Sequence, residues 1–275
     1  MIALKALKSR REGIEKINKI TRAMEAIAAT RLQRYETSVT KFRPFAQAQR
    51  ELMKHLALRL KRTISRISPA QNKTGLVILI SSDRGFCGSF NNQLFQVVQG
   101  LEEAQAFSFI AVGKKGTAYL RRRNFNLIDE AALPAEDEVE DFAQRITEKV
   151  ISFYRMEAEK IYLIFNKFRR NLLGRGTLGQ LFPLEEQEKA EGTVLDYLFE
   201  PDIEVVLEKI LPMYVNTEVK AAILESKAAE EMARMIAMTQ ARRSAEDLIK
   251  KLTLQYHKAR QAGITQELLE ITNAI

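Results

Sequence analysis

Cysteine occurs once in the 275 residues, at Cys87, and histidine only twice, at His55 and His257. A lone cysteine excludes an internal disulfide and any multi-cysteine metal site. The two histidines lie far apart in helical stretches, so packing or surface roles are expected for both, with no metal and no cofactor. Long hydrophobic runs are missing as well: no window offers the roughly 18 continuous apolar residues of a membrane span. The opening Met-Ile-Ala-Leu-Lys runs straight into amphipathic helix without an apolar signal core, and Glu12, Glu15 and Glu25 among the early basic residues are unlike an acid-poor transit peptide. A bacterial cytoplasmic location is therefore expected.

The most informative absence is that of helix breakers at the two ends. Glycine and proline are missing from Met213 to Ala262, enough for a helix on the order of 75 Å at 1.5 Å per residue. They are missing again from Ile14 to Arg43, and after Pro44 the helical pattern resumes to about Ser68. Apolar or small residues at Leu7, Ile14, Ile17, Thr21, Met24 and Ala28 alternate threes and fours, the spacing of a seam against another helix. An alanine-rich seam follows in the other stretch, from Ala222, Ala229 and Ala233 through Ala245, Leu248 and Leu252 to Tyr256 and Ala259. Small side chains let two backbones approach closely. Because the two stretches flank one middle segment, they are predicted to bury their stripes against each other as an antiparallel coiled coil.

Charge is unevenly placed along this plan. Residues 1 to 68 hold 17 Lys or Arg against 5 Glu, leaving the remainder near −4 of the overall +8. A basic helix of this kind suits phosphate, anionic lipid or acidic protein loops. A nucleic-acid-binding coiled coil is one reading of it, and a solvated helix face is another.

Between the ends the periodicity changes. Leu76 to Ile80 is a short apolar run rich in β-branched residues, and Phe107 to Val112, Phe125 to Ile128 and Ile161 to Phe165 resemble it. Helices are predicted between them at about 91 to 104, 114 to 122 and 136 to 158, and Thr177 to Phe182 is a candidate edge strand. Strands alternating with helices imply a mainly parallel, doubly wound sheet covered on both faces. The expected organisation is an α/β fold: an N-terminal coiled-coil helix over 1–68, a central α/β domain over 69–200 and a C-terminal coiled-coil helix over 201–275.

The loop Ser81 to Asn91, after the first strand, lies where a doubly wound sheet holds its ligand. Gly85 and Gly88 precede a helix there, which is the basis for reading the domain as a small-molecule enzyme. Their spacing fits neither the dinucleotide fingerprint nor the phosphate-cradling loop, which also needs a Lys-Ser or Lys-Thr pair. A tight turn in which Asp83 and Arg84 tie the domain to the helices is expected instead. Cys87 has no histidine nearby in sequence to activate it as a nucleophile.

Five stretches together carry a family resemblance: Lys19-Ile20-Thr21-Arg22-Ala23-Met24, Ser82 to Gly88, Tyr197-Leu198-Phe199-Glu200-Pro201, Glu225 to Met238, and Ala259 to Glu267. In order and along nearly the whole chain, they resemble the gamma subunit of F-type ATP synthase. The resemblance implies a non-catalytic rotor shaft in one copy per complex. Its terminal helices would pass up a ring of alpha and beta subunits, where beta makes ATP, and its α/β domain would sit beside epsilon on the membrane c-ring. By position, Met24 resembles the methionine near the acidic loop of beta, with Arg31 and Arg34 beyond it adding complementary charge. Arg234, Gln261 and Thr265 resemble polar residues that catch a beta loop near the top of the shaft. Tyr197 and Glu200 resemble those that meet the c-ring. The resemblance implies no catalytic, cofactor or metal residue, no nucleic acid, and peripheral attachment to the cytoplasmic face of a bacterial plasma membrane.

Overall fold

The structure is a computed structural model that describes residues 2–64, 74–101, 104–156, 158–170, 172–183 and 203–272. It divides into two compact units, Met1–Thr30 with Arg234–Ile275, and Arg31–Ala233. The division falls inside two long helices, α1 (Ile2–Ile64) and α5 (Ile203–Thr272), and not at their ends. Pro44 lies within α1 and Pro212 within α5. Each proline deprives the carbonyl four residues back of its helical donor, a cost that tertiary packing overrides here. No helix among the described residues is long and apolar enough to cross a membrane.

In the first unit α1 and α5 run antiparallel. Glu25 accepts hydrogen bonds from Thr239 and Arg242, and further toward the start of α1 the Arg11 guanidinium stacks over the ring of Tyr256. Residues of α1 that lose solvent include 4, 7, 11, 14, 18, 21, 25 and 28, an alternation of threes and fours, with 15 and 24 partly covered beside it. The predicted seam is thus present, with two positions shifted by one residue: Glu25 takes the inward place beside half-buried Met24, and the other case is at Ile17. Ile17 is half exposed, and the neighbouring Asn18 takes the inward position. Apolarity alone misplaces it because this seam includes Arg11, Asn18, Thr21 and Glu25.

The second unit is built on a five-stranded sheet in the order β3-β2-β1-β4-β5. The strands are β1 (Thr74–Ile80), β2 (Phe107–Val112), β3 (Asn126–Ala131), β4 (Ala158–Arg169) and β5 (Leu172–Phe182). All neighbours are parallel except β5, which pairs antiparallel with β4 as a long hairpin. Leu76 through Ile80 are fully buried, as an apolar run in a central parallel strand should be. Helices α2 (Phe90–Gln99) and α3 (Lys114–Arg122) follow successive strands in one direction and touch each other. The connection through α4 (Val139–Met156) returns past β1 to β4, which places α4 on the opposite face by the right-handed crossover rule. The sheet is therefore doubly wound, with its change of direction between β1 and β4.

Candidate interaction surfaces and the closed crevice

A doubly wound sheet opens a ligand crevice at the carboxyl ends of the strands where the winding reverses, here Ile80 of β1 and Arg169 of β4. In this protein α5 fills that place. Ser226 Oγ donates to the Ile80 carbonyl at 3.4 Å, and the Glu225 carboxylate accepts the Phe168 N–H at 2.8 Å. A Cβ on Gly174 would come within 3.1 Å of the Ala229 methyl, so β5 and α5 are in close contact.

The loop after β1 consumes its own polar groups. Ser82 Oγ donates to the Arg84 carbonyl at 2.7 Å and accepts from Asn91 Nδ2 at 2.8 Å. Cys87 is buried, and its thiol receives Asn91 Nδ2 at 3.4 Å. Phe86 and Gly88 adopt positive φ of 61° and 55°, which turns the chain into α2. Among the described residues, Asp83 reaches the two long helices only through its charge, which acts on Lys227 of α5. Its carboxylate accepts the Lys114 N–H at 3.0 Å and the Leu133 N–H at 3.2 Å, capping α3 and pinning the segment after β3, while Arg84 is exposed.

The tie is made by charged residues of α5 that the sequence reading passed over. From Ala222 to Ala233 this helix is buried on every side, yet it carries Glu225, Lys227, Glu230 and Glu231. Lys227 Nζ donates to the Pro134 carbonyl and lies 5.2 Å above the Tyr35 ring. Burial pushes the Lys227 ammonium below its usual range and the Tyr35 hydroxyl above its own. Arg43 forks onto Glu225 at 2.7 and 2.9 Å, and Arg50 forks onto Glu218 at 2.5 and 2.8 Å. The signal was present in the sequence: Arg43 and Arg50 are seven apart, and so are Glu218 and Glu225, as antiparallel partners one heptad apart must be.

The expected contact residues are distributed over several levels. In the first unit, Met24 is half-buried and belongs to a second stripe on α1 with Ile17, Ile20 and Ile27, each of those three half exposed. At 3.6 residues per turn the stripe spans an arc of about 80° beside the seam. Gln261 and Thr265 are exposed and share one face of α5 with Leu254 and Leu268, which are also exposed. Arg234 lies on the same helix, but 27 residues before Gln261 it is about 40 Å away along the axis, and at 7% exposure it is enclosed by the chain. The structure thus groups Gln261 with Thr265 and separates both from Arg234. In the second unit Arg34 is exposed, whereas Arg31 is engaged with Glu231 at 3.6 Å. Tyr197 and Glu200 lie outside the described residues. His257 is exposed beside the Tyr256 ring, and no group of three metal-ligating side chains occurs among the described residues.

The profile of the family described as ATP synthase matches residues 3–275. The chain is 34% identical over 299 residues to the ATP synthase gamma chain of Salinibacter ruber, covering 99% of this chain and 97% of that one. It is 35% identical over 286 residues to that of Chlorobaculum parvum, covering 98% and 97%. Its fold is similar to a chain in the cryo-EM structure of Euglena gracilis mitochondrial ATP synthase, OSCP/F1/c-ring, with a TM-score of 0.75 at 19% identity over 99% of this chain and 93% of that one. A chain of the rotor of the same synthase gives 0.72 at 17% identity over 95% and 99%. With a family profile along almost its whole length and relatives above 30% identity at near-complete coverage, this chain belongs to the ATP synthase gamma chain family.

Proposed function

We propose that this chain is the central rotor of an ATP synthase, coupling ion flow through a membrane c-ring to ATP synthesis or hydrolysis on beta subunits, and that it contributes no catalytic group itself. The observation that carries the reading, beside family membership, is the pair of outward faces in the first unit. Ile17, Ile20 and Ile27 on α1, and Leu254 and Leu268 on α5, keep large apolar side chains in solvent. Large apolar side chains grouped in one exposed stripe, as Ile17, Ile20 and Ile27 are, mark a face that a partner covers.

A ring of alpha and beta subunits is the occupant that this reading supplies. Met24, within the apolar stripe, and Arg31 and Arg34 further along α1 face an acidic loop of beta. Gln261 and Thr265 meet a beta loop at another level. Arg234, being enclosed, acts by holding its own helix in place. Tyr197 and Glu200 reach the c-ring and epsilon, and one copy serves each complex. Attachment to the cytoplasmic face of a bacterial plasma membrane is then indirect, through the c-ring. The division into 1–68, 69–200 and 201–275 becomes one of labour, shaft and foot.

Coupling follows from asymmetry. Different faces of the two helices present different chemistry, so each beta subunit meets a different surface and is biased toward a different conformation. Moving a two-state element from 1:99 to 99:1 takes about 5.5 kcal/mol of differential contact. A few charge-assisted bonds plus packing reach that value. An enzyme housed in the α/β domain is disfavoured because α5 occupies the crevice such an enzyme would use.

Reconstitution tests the reading. Mixed with alpha and beta subunits of the same source, the chain is expected to form a stoichiometric complex that hydrolyses ATP. Failure to assemble would refute the assignment.

A further inference from the structure

We infer that Arg43 and Glu225 are the positioning residues through which turning force passes between the sheet and the α1–α5 pair, an inference that rests on the rotor reading. Three elements meet at this pair. Glu225 accepts Arg43 Nε at 2.7 Å and Nη2 at 2.9 Å, and it also accepts the Phe168 N–H of β4 at 2.8 Å. Arg43 Nη2 in turn donates to the Phe168 carbonyl at 2.8 Å. The ion pair thus satisfies both backbone groups of one strand residue, as a neighbouring strand would, and locks the end of β4 to both helices at once.

The surroundings make this lock mechanically distinctive. Among the buried α5 side chains adjoining it, Ala222, Ser226, Ala228 and Ala229 are small, and Leu224 and Lys227 are the larger exceptions. Apolar contact is non-directional, so a smooth alanine surface resists separation better than sliding. Forked, charge-assisted hydrogen bonds fix direction as well as distance. Phe168 and Glu225 are shielded from water, at 5% and 7% exposure. Two other buried links, Lys227 to the Pro134 carbonyl and Ser226 to the Ile80 carbonyl, each join α5 alone to the α/β domain, and the links Arg170 to Glu36 and Lys220 to Glu140 are at the surface. Ion pairs of that kind exchange readily with solvent.

The molecule also contains its own comparison. Arg50 and Glu218 repeat the fork between α1 and α5 one heptad along, without a bond to the sheet backbone among the described residues. Loss of Arg50 removes helix-to-helix attachment alone, whereas loss of Arg43 also frees the strand.

The experiment uses the complete membrane-bound complex in sealed vesicles, with ATP hydrolysis and ATP-driven ion uptake measured together. In Arg43→Met and Glu225→Gln the ions moved per ATP are expected to fall at least about twofold while hydrolysis persists, and Arg50→Met is expected to keep the normal ratio. Arg43→Lys, which keeps the charge but offers one point donor in place of a fork, serves if Arg43→Met does not assemble; its ratio is expected to fall as well. An unchanged ratio in the Arg43 variants, or an equal fall in Arg50→Met, overturns the inference. Absence of any ATP-driven uptake with the unaltered chain would instead remove the rotor reading on which it stands.

Discussion

Glu25 takes its two donors from the opposite helix, and the Arg242 guanidinium, followed by the Thr239 hydroxyl, holds its carboxyl below the usual range. A carboxylate with a depressed folded pKa adds stability that is complete above its ordinary value of 4.5 and is lost as pH falls through the lower folded value. Glu25→Gln should therefore lower the melting temperature in the neutral region and converge on the unaltered chain as pH falls well below about 4.5, so that the acid limb is flatter, read by melting curves across pH. Gly113 poses a different demand. Its φ is +98°, and an added Cβ would stand 2.2 Å from the Ser81 carbonyl oxygen. Gly113→Ala should cost about 2 kcal/mol or more in denaturant unfolding, from backbone strain and overlap together. Met24→Lys places a charge amid Ile17, Ile20 and Ile27. The expected outcome is a complex that still assembles but moves fewer ions per ATP, and normal coupling would remove Met24 from the contact surface.

At the scale of elements, the seam between α1 and α5 combines stability with register. Asn18 sits at an inward heptad position with its Oδ1 buried and without a hydrogen-bond partner among the described residues. Polar residues at such positions specify alignment at a cost in stability. Asn18→Leu should raise the melting temperature, by a stabilisation of about 1 kcal/mol, and a lowered melting temperature would contradict its placement in the seam. Much of this level was legible in the sequence. Apolar runs rich in β-branched residues located β1, β2 and the centre of β4, and the lack of breakers located α1 and α5. The edge strands were less visible. Phe125 to Ile128 and Thr177 to Phe182 mark only the first half of β3 and the second half of β5, because β3 alternates between exposed and half-buried positions and β5 carries Gly174, Gly176 and Gly179. The buried charges of α5 were hidden for a related reason: Glu225 and Lys227 look like surface residues until partners from α1, β4 and the segment after β3 come together around them.

The whole molecule contains a doubly wound sheet with a closed crevice and a helix pair that still exposes apolar faces. The sheet has given up the position where its fold class binds ligands, and α5 has taken it. Work is then assigned to surfaces and joints. The chain belongs to the ATP synthase gamma chain family, and under the proposed function such surfaces meet a ring of catalytic subunits. The most direct test of the central claim is to fix a complex of alpha and beta subunits to a surface, attach a visible marker to this chain, and supply ATP. The account predicts continued rotation of the marker in one direction, stopping when ATP is withdrawn. Steady ATP hydrolysis with a stationary marker would contradict it.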